Sequence, residues 1–230
     1  MTLAGNQPYF LPYFPYWQLI AAADAFLVSD DYAFMKGSWI PRNRILINGR
    51  IQYFRIEVEK QSCHRYIKDC RVASLNVPEK LRTLEMAYHK APYFEDGYAL
   101  AQRILLCQET GLADFLTHSI REVCAYLGIG TPLLKTSDLP GNNLLRREER
   151  VYDFCHRLGA THFINPIGGQ ALYSKESFRR EGIELHFLHS EAAPYRQFDD
   201  TFVPDLSVVD AIMFNSREEL HQRLGQYRLV

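Results

Sequence analysis

The chain lacks most of the marks that would place it quickly in a functional class. It has 5 cysteines, at 63, 70, 107, 124 and 155. The number is odd and the spacing unpaired, which excludes a disulfide scaffold or a zinc knuckle and leaves reduced thiols as the reading. No stretch approaches the ~20 consecutive apolar residues of a membrane span. The opening MTLAGNQPYF has neither the basic start nor the apolar run of a secretory signal, so a cytoplasmic location is expected. Charge of one sign is also missing. The formal net charge is −1, which argues against nucleic-acid binding by bulk electrostatics. It leaves only local basic patches, at Arg42 and Arg44 or at Arg146, Arg147 and Arg150. Catalytic signatures are absent as well: no HxH, HxxxH or HxxEH, no GxGxxG or Walker loop, and no GxSxG elbow. His186 and His189 lie three apart on an expected strand, so no metal is expected.

What is present is ordinary globular material with an aromatic excess. Hydrophobic residues make up 47% of the 230, charged residues 23% and aromatics 13%. This suffices for one sizeable core, and no repeat or low-complexity linker divides the chain. The pattern predicts a single α/β domain over 1–230 with a helical insertion at about 78–158. Residues 2–6 read as a strand. Pro8, Pro12 and Pro15 then forbid regular structure until the last of them, which suits the first turn of a helix over Tyr16–Ala23. Ala25–Ser29 is a continuous apolar run, as in a buried parallel strand. The opening is therefore a Rossmann-like βαβ unit.

Asn48-Gly49 lies between apolar runs at Arg44–Ile47 and Ile51–Val58, a strong hairpin signal. Residues 60–77 read as irregular. Helical spacing follows over Pro78–Lys90, Gly97–Thr110, Leu112–Leu127 and Asn143–Leu158. In the third, Leu112, Phe115, Leu116, Ile120, Val123, Cys124 and Leu127 share a face and Gly128 stops it. His162–Ile164 and Ile183–Leu188 read as strands, Lys175–Arg180 as a short helix, and the tail from Ser207 as closing helices.

Four constellations can carry chemistry. A loop leaving the carboxyl end of a first strand sits where α/β sheets bind ligands. Here it holds Gln7, which can orient an amide or carboxylate, and Tyr9 and Tyr13, which can stack on a ring; the helix start beyond offers N–H groups to an anion. A rigid structural turn is the alternative. Second, Asp30 and Asp31 end the second strand and Lys36, Trp39, Arg42, Asn43 and Arg44 follow. Such a set holds a cationic amine, a metal or a phosphate, or else is a solvated ion-pair network. Third, Asn165, Gly168 and Gly169, ending in Tyr173, let backbone approach a ligand; a plain turn is equally compatible. Fourth, Tyr195, Gln197 and Phe198 precede Pro204, Leu206, Ser207 and Asp210, where Ser207 reads as a helix cap with Asp210 in the first turn.

Four segments carry a family resemblance: QPYFLPYFPYWQLI at 7–20, DAFLVSDDYAFMKGSWIPRNRI at 24–45, HFINPIGGQALYSKESFRREGIELHFL at 162–188 and FVPDLSVVDAIMFNS at 202–216. Through these the sequence resembles the WbqC-like family of bacterial proteins over nearly its whole length. Pro15 stands where members usually have Gly, and Pro41 where Asn is frequent. Members often occur in gene clusters for surface polysaccharides. The resemblance implies an enzyme of the N-acyl or aminoacyl transferase kind, or an ATP-dependent amide-forming ligase, acting on a nucleotide-linked amino sugar. On that reading Asp30, Asp31 and Lys36 are catalytic, and the remaining residues of the first three constellations bind substrate. The cofactor is ATP or an activated acyl donor, with a carrier protein or aminoacyl-tRNA as donor partners. The alternatives are a non-catalytic sugar- or carrier-binding protein of a biosynthetic pathway, and an amide-forming enzyme acting on a small-molecule metabolite.

Overall fold

The computed structural model describes residues 1–199 and 201–230. β1 (Thr2–Asn6) leads through the proline-rich loop into α1 (Phe14–Ala21) and on to β2 (Ala25–Val28). β1 and β2 pair in parallel, from Leu3 opposite Ala25 to Asn6 opposite Val28. This is the expected βαβ unit, and the loop at its head is rich in proline rather than glycine. α1 starts at Phe14, with Pro15 in its first turn where a missing N–H costs nothing.

β3 (Arg42–Ile47) and β4 (Arg50–Arg55) form the hairpin. Asn48 and Gly49 both adopt positive φ, at 49° and 70°, as a two-residue turn of this hand requires. β4 ends before Val58, because β5 (Glu57–Val58) turns away to pair with β6 (Val72–Ser74). A short strand thus lies within the stretch expected to be irregular. α2 (Val77–Tyr88), α3 (Phe94–Leu105) and α4 (Leu112–Leu127) follow. All seven residues assigned to the inner face of α4 are buried. Gly128, at φ 74°, ends the helix, and Ile129 N–H returns to Cys124 O at 2.9 Å.

The span 78–158 is not purely helical: β7 (Leu133–Lys135) lies inside it and pairs in parallel with β2. α5 (Glu148–Leu158) starts later than expected, since Arg147 at φ 49° breaks the path from the single turn at Asn142–Leu144. Then come β8 (His162–Pro166), α6 (Lys175–Arg180), β9 (Glu184–Ser190), α7 (Val208–Phe214) and α8 (Arg217–Leu224). The tail adds a strand as well as helices, β10 (Tyr227–Leu229), antiparallel to β9.

The main sheet runs β10-β9-β8-β1-β2-β7, with β9, β8, β1, β2 and β7 parallel. Both faces are covered, as parallel sheets require. Leu3, Leu27, Phe163, Leu185 and Phe187 face one way, with Phe154 of α5 and Phe178 of α6. Ala4, Phe26, Val28, Ile164 and Leu188 face the other way, into the core that holds Trp17 of α1 and the inner face of α4. Trp17 is fully buried and donates from Nε1 to Pro12 O at 3.1 Å. It ties the loop to the core, and its truncation to alanine is expected to cost about 3–5 kcal/mol.

Candidate functional site

The strand order reverses between β1 and β8. From β1 the chain moves one way to β2 and β7, while β8 and β9 add on the other side. Such a switch point opens a crevice at the carboxyl ends of the strands. A cavity of about 630 Å³ occupies that place. Gly5, Asn6 and Gln7 line it from the end of β1, and Asn165, Pro166, Gly168 and Gly169 from the end of β8. Ser29 and Tyr32 follow β2, while Trp39, Asn43 and Arg44 lie at and before the start of β3. Tyr9, Pro12, Tyr13, Leu172, Tyr173 and Asp205 complete the wall.

The loop at 7–13 is held rigid through its own carbonyls. Tyr16 OH donates to Gln7 O at 3.0 Å, Ser207 Oγ to Leu11 O at 2.8 Å and Val208 N–H to Pro12 O at 3.0 Å. Phe10 N–H donates to Ile40 O at 2.9 Å, and Ser207 N–H to Arg44 O at 2.8 Å. Three segments distant in sequence are thereby braided into one wall. Two wall segments also carry strained backbone: Leu11 has φ 46° and Asp205 φ 55°. A leucine there is uncommon and persists only where surrounding bonds hold it. The helix N-terminus offers less than expected to an anion. Pro15 has no N–H, and Tyr16 N–H goes to Tyr13 O at 3.2 Å.

The lining is amide and ring. Asn6 Oδ1 accepts from Gln7 N–H at 2.8 Å and Asn43 Oδ1 from Arg44 N–H at 2.9 Å, which fixes those two amides. Among the described residues, the side-chain amides of Gln7 and Asn165 make no hydrogen bond to protein, although Asn165 is only 9% exposed. Gly169 permits this placement, because a Cβ there would collide with Asn165 Nδ2. Tyr9 and Tyr13 have their phenols pushed up by burial first, and then by each other in the first case and by Asp205 in the second. Burial also raises Tyr32, against the Arg150 guanidinium, and takes Tyr173 to about 12. These phenols are donors at neutral pH, not bases. Among the described residues, charge on the wall is confined to one pair: Arg44 donates from Nη2 to Asp205 O at 2.8 Å and lies 3.6 Å from its carboxylate.

Most of the expected binding residues meet here: Gln7, Tyr9, Tyr13, Trp39, Asn43, Arg44, Asn165, Gly168, Gly169 and Tyr173. Arg42 does not. Its guanidinium lies 4.4 Å from the Tyr53 ring centroid and bonds Gly37 O. Arg42 and Arg44 are therefore both engaged, and so is Arg150, which is buried; neither expected basic patch is a free cluster. Lys36 is exposed in the loop before Trp39 and lies off the cavity wall.

Asp30 and Asp31 also lie off the wall, at 1% and 3% exposure. Asp30 accepts from Ser137 Oγ at 2.7 Å and Ser137 N–H at 3.0 Å. Asp31 Oδ1 accepts from Thr136 Oγ1 at 2.6 Å and Arg150 Nη2 at 2.8 Å. Arg150 in turn lies 4.1 Å from the centroid of the Tyr32 ring, so the pair braces a wall ring from behind.

Sequence reasoning missed Gly5, Asn6, Ser29, Tyr32, Leu172 and Asp205. Asn6, Ser29 and Tyr32 adjoin or bracket residues it did name, and strand-end position alone would have found them. Asp205 lies between Pro204 and Leu206 of the fourth constellation, but no strand end marks it. Of the fourth constellation, Ser207 does cap α7, accepting from Val209 N–H at 3.3 Å. Asp210 lies in the first turn of α7 as expected, and its side chain turns into the core, where it accepts from Tyr195 OH and Gln197 Nε2, both at 2.7 Å, and from Tyr88 OH at 3.1 Å. At the opposite end of the sheet, His162, Glu184 and His186 stand with metal-ligand spacing. Among the described residues no helix is long and apolar enough to cross a membrane.

Fold and site together define an α/β protein with a parallel central sheet and an amide- and ring-lined crevice at its switch point. The model of the WbqC-like protein family matches residues 7–222, and the chain belongs to that family. The chain is similar to an uncharacterized protein, Rv1507c, of Mycobacterium tuberculosis, with 27% identity over 213 residues that cover 91% of each. No solved structure matches it.

Proposed function

We propose that the protein is an enzyme that forms an amide on the amino group of a nucleotide-linked amino sugar, from an activated acyl or aminoacyl donor. The observation that carries this reading is the lining of the switch-point cavity. Its unpartnered Gln7 and Asn165 amides match sugar hydroxyls, which both donate and accept. The rings of Tyr9, Tyr13, Trp39 and Tyr173 offer flat apolar faces to a sugar ring or base. Arg44 is anchored to Asp205 through Nε and Nη2, and its Nη1 is left as a charged donor for a phosphate or the donor's carbonyl oxygen. Among the described residues Asp205 is the carboxylate on the wall, and it takes the part first expected of Asp30 and Asp31. It receives a proton from the acceptor amine as nitrogen attacks the acyl carbon and the donor's leaving group departs.

The test is direct. The full chain is incubated with uridine-diphosphate amino sugars and either an acyl thioester or an amino acid with ATP, and products are read by mass spectrometry. Amide product is expected, falling about 100-fold or more in Asp205→Asn with unchanged melting temperature. One observation favours a second reading, a sugar- or carrier-binding protein without turnover: among the described residues no His, Cys or Lys lines the cavity. Calorimetric binding of the nucleotide sugar with no product from any donor would establish that reading instead.

A further inference from the structure

We propose that His162, Glu184 and His186 form a surface site for a divalent transition-metal ion of the zinc class. The three residues come from neighbouring parallel strands. His162 of β8 stands opposite Glu184 of β9, and His186 is two residues further along β9. Alternation then directs all three side chains to one face of the sheet. Their ligand atoms lie within 4.8 Å of one another. Glu184 Oε2 is 3.5 Å from His162 Nε2 and 3.6 Å from His186 Nε2. Bonds of 2.0–2.1 Å to a tetrahedral ion place ligand atoms roughly 3.3 Å apart, so a small side-chain adjustment completes the half-site.

Two further features prepare it. Thr161 Oγ1 lies 2.9 Å from His162 Nδ1. A hydroxyl accepting there from Nδ1–H leaves the Nε2 lone pair for the metal, the usual outer-shell arrangement of a metal-bound histidine. The ligands also stand on strands rather than a loop, and Glu184 N–H is anchored to Thr161 O at 2.8 Å. Two imidazoles and one carboxylate favour zinc, nickel or copper over calcium or magnesium, and three protein ligands leave a position for water. The site lies at the amino ends of β8 and β9, away from the cavity at their carboxyl ends. Its ion would tie together the two strands, one of which carries Asn165. The proposal does not depend on the function proposed above.

The test is equilibrium dialysis of the full chain, free of any histidine tag, against zinc chloride, with metal content measured. One ion per chain is expected. His162→Asn and His186→Asn should each weaken binding about 10-fold or more, while Cys63→Ser, at the exposed thiol, should leave it unchanged. Excess magnesium should not displace the ion. Melting curves check that each variant folds. Should one fail to fold, the cobalt(II) spectrum of the unaltered chain decides, with nitrogen and oxygen ligation expected and no thiolate charge-transfer band. At zinc concentrations near 100 times Kd the folding constant should rise about 100-fold. Absence of stoichiometric binding, binding indifferent to both folded histidine variants, displacement by magnesium, or a thiolate spectrum would overturn the assignment.

Discussion

Two polar clusters sit at the carboxyl ends of neighbouring parallel strands, and they are built to opposite rules. Just past β2, Asp30 spends both oxygens on Thr136 and Ser137, and Asp31 spends its Oδ1 on Thr136 and Arg150. Gln7, just past β1, and Asn165, near the end of β8, leave their amides open to the cavity. A buried polar group must be satisfied, and the satisfied ones are structure. The open ones are where a ligand completes the accounting. Richness in charge is therefore a poor guide to the site here, and unspent hydrogen-bonding capacity is a better one.

The sharpest way to break this contrast is Asp31→Ala. Arg150 is 7% exposed and would keep its charge with its carboxylate partner gone. Removing one member of a buried pair costs about 3–5 kcal/mol, so a large fall in the urea midpoint is expected. The double variant Asp31→Leu/Arg150→Met should recover much of that loss, since both charges leave together. A stable Asp31→Ala that had lost only turnover would restore Asp31 to the chemistry and end the comparison.

What made the open cluster legible was position. Gln7, Tyr9 and Tyr13 follow a strand and precede a proline-started helix, and Asn165 to Gly169 follow the strand expected at His162–Ile164. Both facts are local and readable. What Asp30 and Asp31 do depends on Thr136, Ser137 and Arg150, more than a hundred residues away, and no spacing rule connects them. The fold divides in the same manner. The Asn48-Gly49 hairpin, α4 and α6 announce themselves through turn chemistry or helical period. β7 and β10 have three residues each, too short for a period, and exist as strands only through the partner they pair with. His162, Glu184 and His186 were invisible for a similar reason, since strand register rather than sequence spacing brings them together.

Asp210 offers a third satisfied carboxylate, one that like Asp30 has neutral donors rather than a cation for partners. Its partners are Tyr88, Tyr195 and Gln197, all neutral donors. Burial pushes its carboxyl above the usual range, while the three donors pull it back. The sign follows from proton counting. Native Asp210 holds its proton to higher pH than the unfolded chain does. Its stabilising contribution is thus full below the ordinary carboxylate range and is lost as pH rises through the raised value. The slope cannot exceed about 1.4 kcal/mol per pH unit for one proton. Denaturant titrations of the native chain and Asp210→Asn should diverge in that window, with the native chain losing stability relative to the variant as pH rises. Parallel curves would mean that the donors, not burial, set its state.

The smallest effect probes the open cluster alone. Asn165→Ala removes an amide with no protein partner among the described residues, so folding stability should change by no more than about 0.5–1 kcal/mol. Affinity for the nucleotide sugar should fall by about 1 kcal/mol, or roughly 5-fold, the value of one ordinary hydrogen bond. Gly169→Ala reaches the same amide without touching its chemistry, because the new Cβ meets Asn165 Nδ2 and must displace it. If the amide binds ligand, both variants lose affinity, and the double variant loses little more than Asn165→Ala, since a displaced amide and a deleted one contribute alike. If Gly169 instead matters through its backbone, the two losses add, as independent sites do. Calorimetry on the three variants separates these outcomes and shows whether the open amide is what the cavity presents to its ligand.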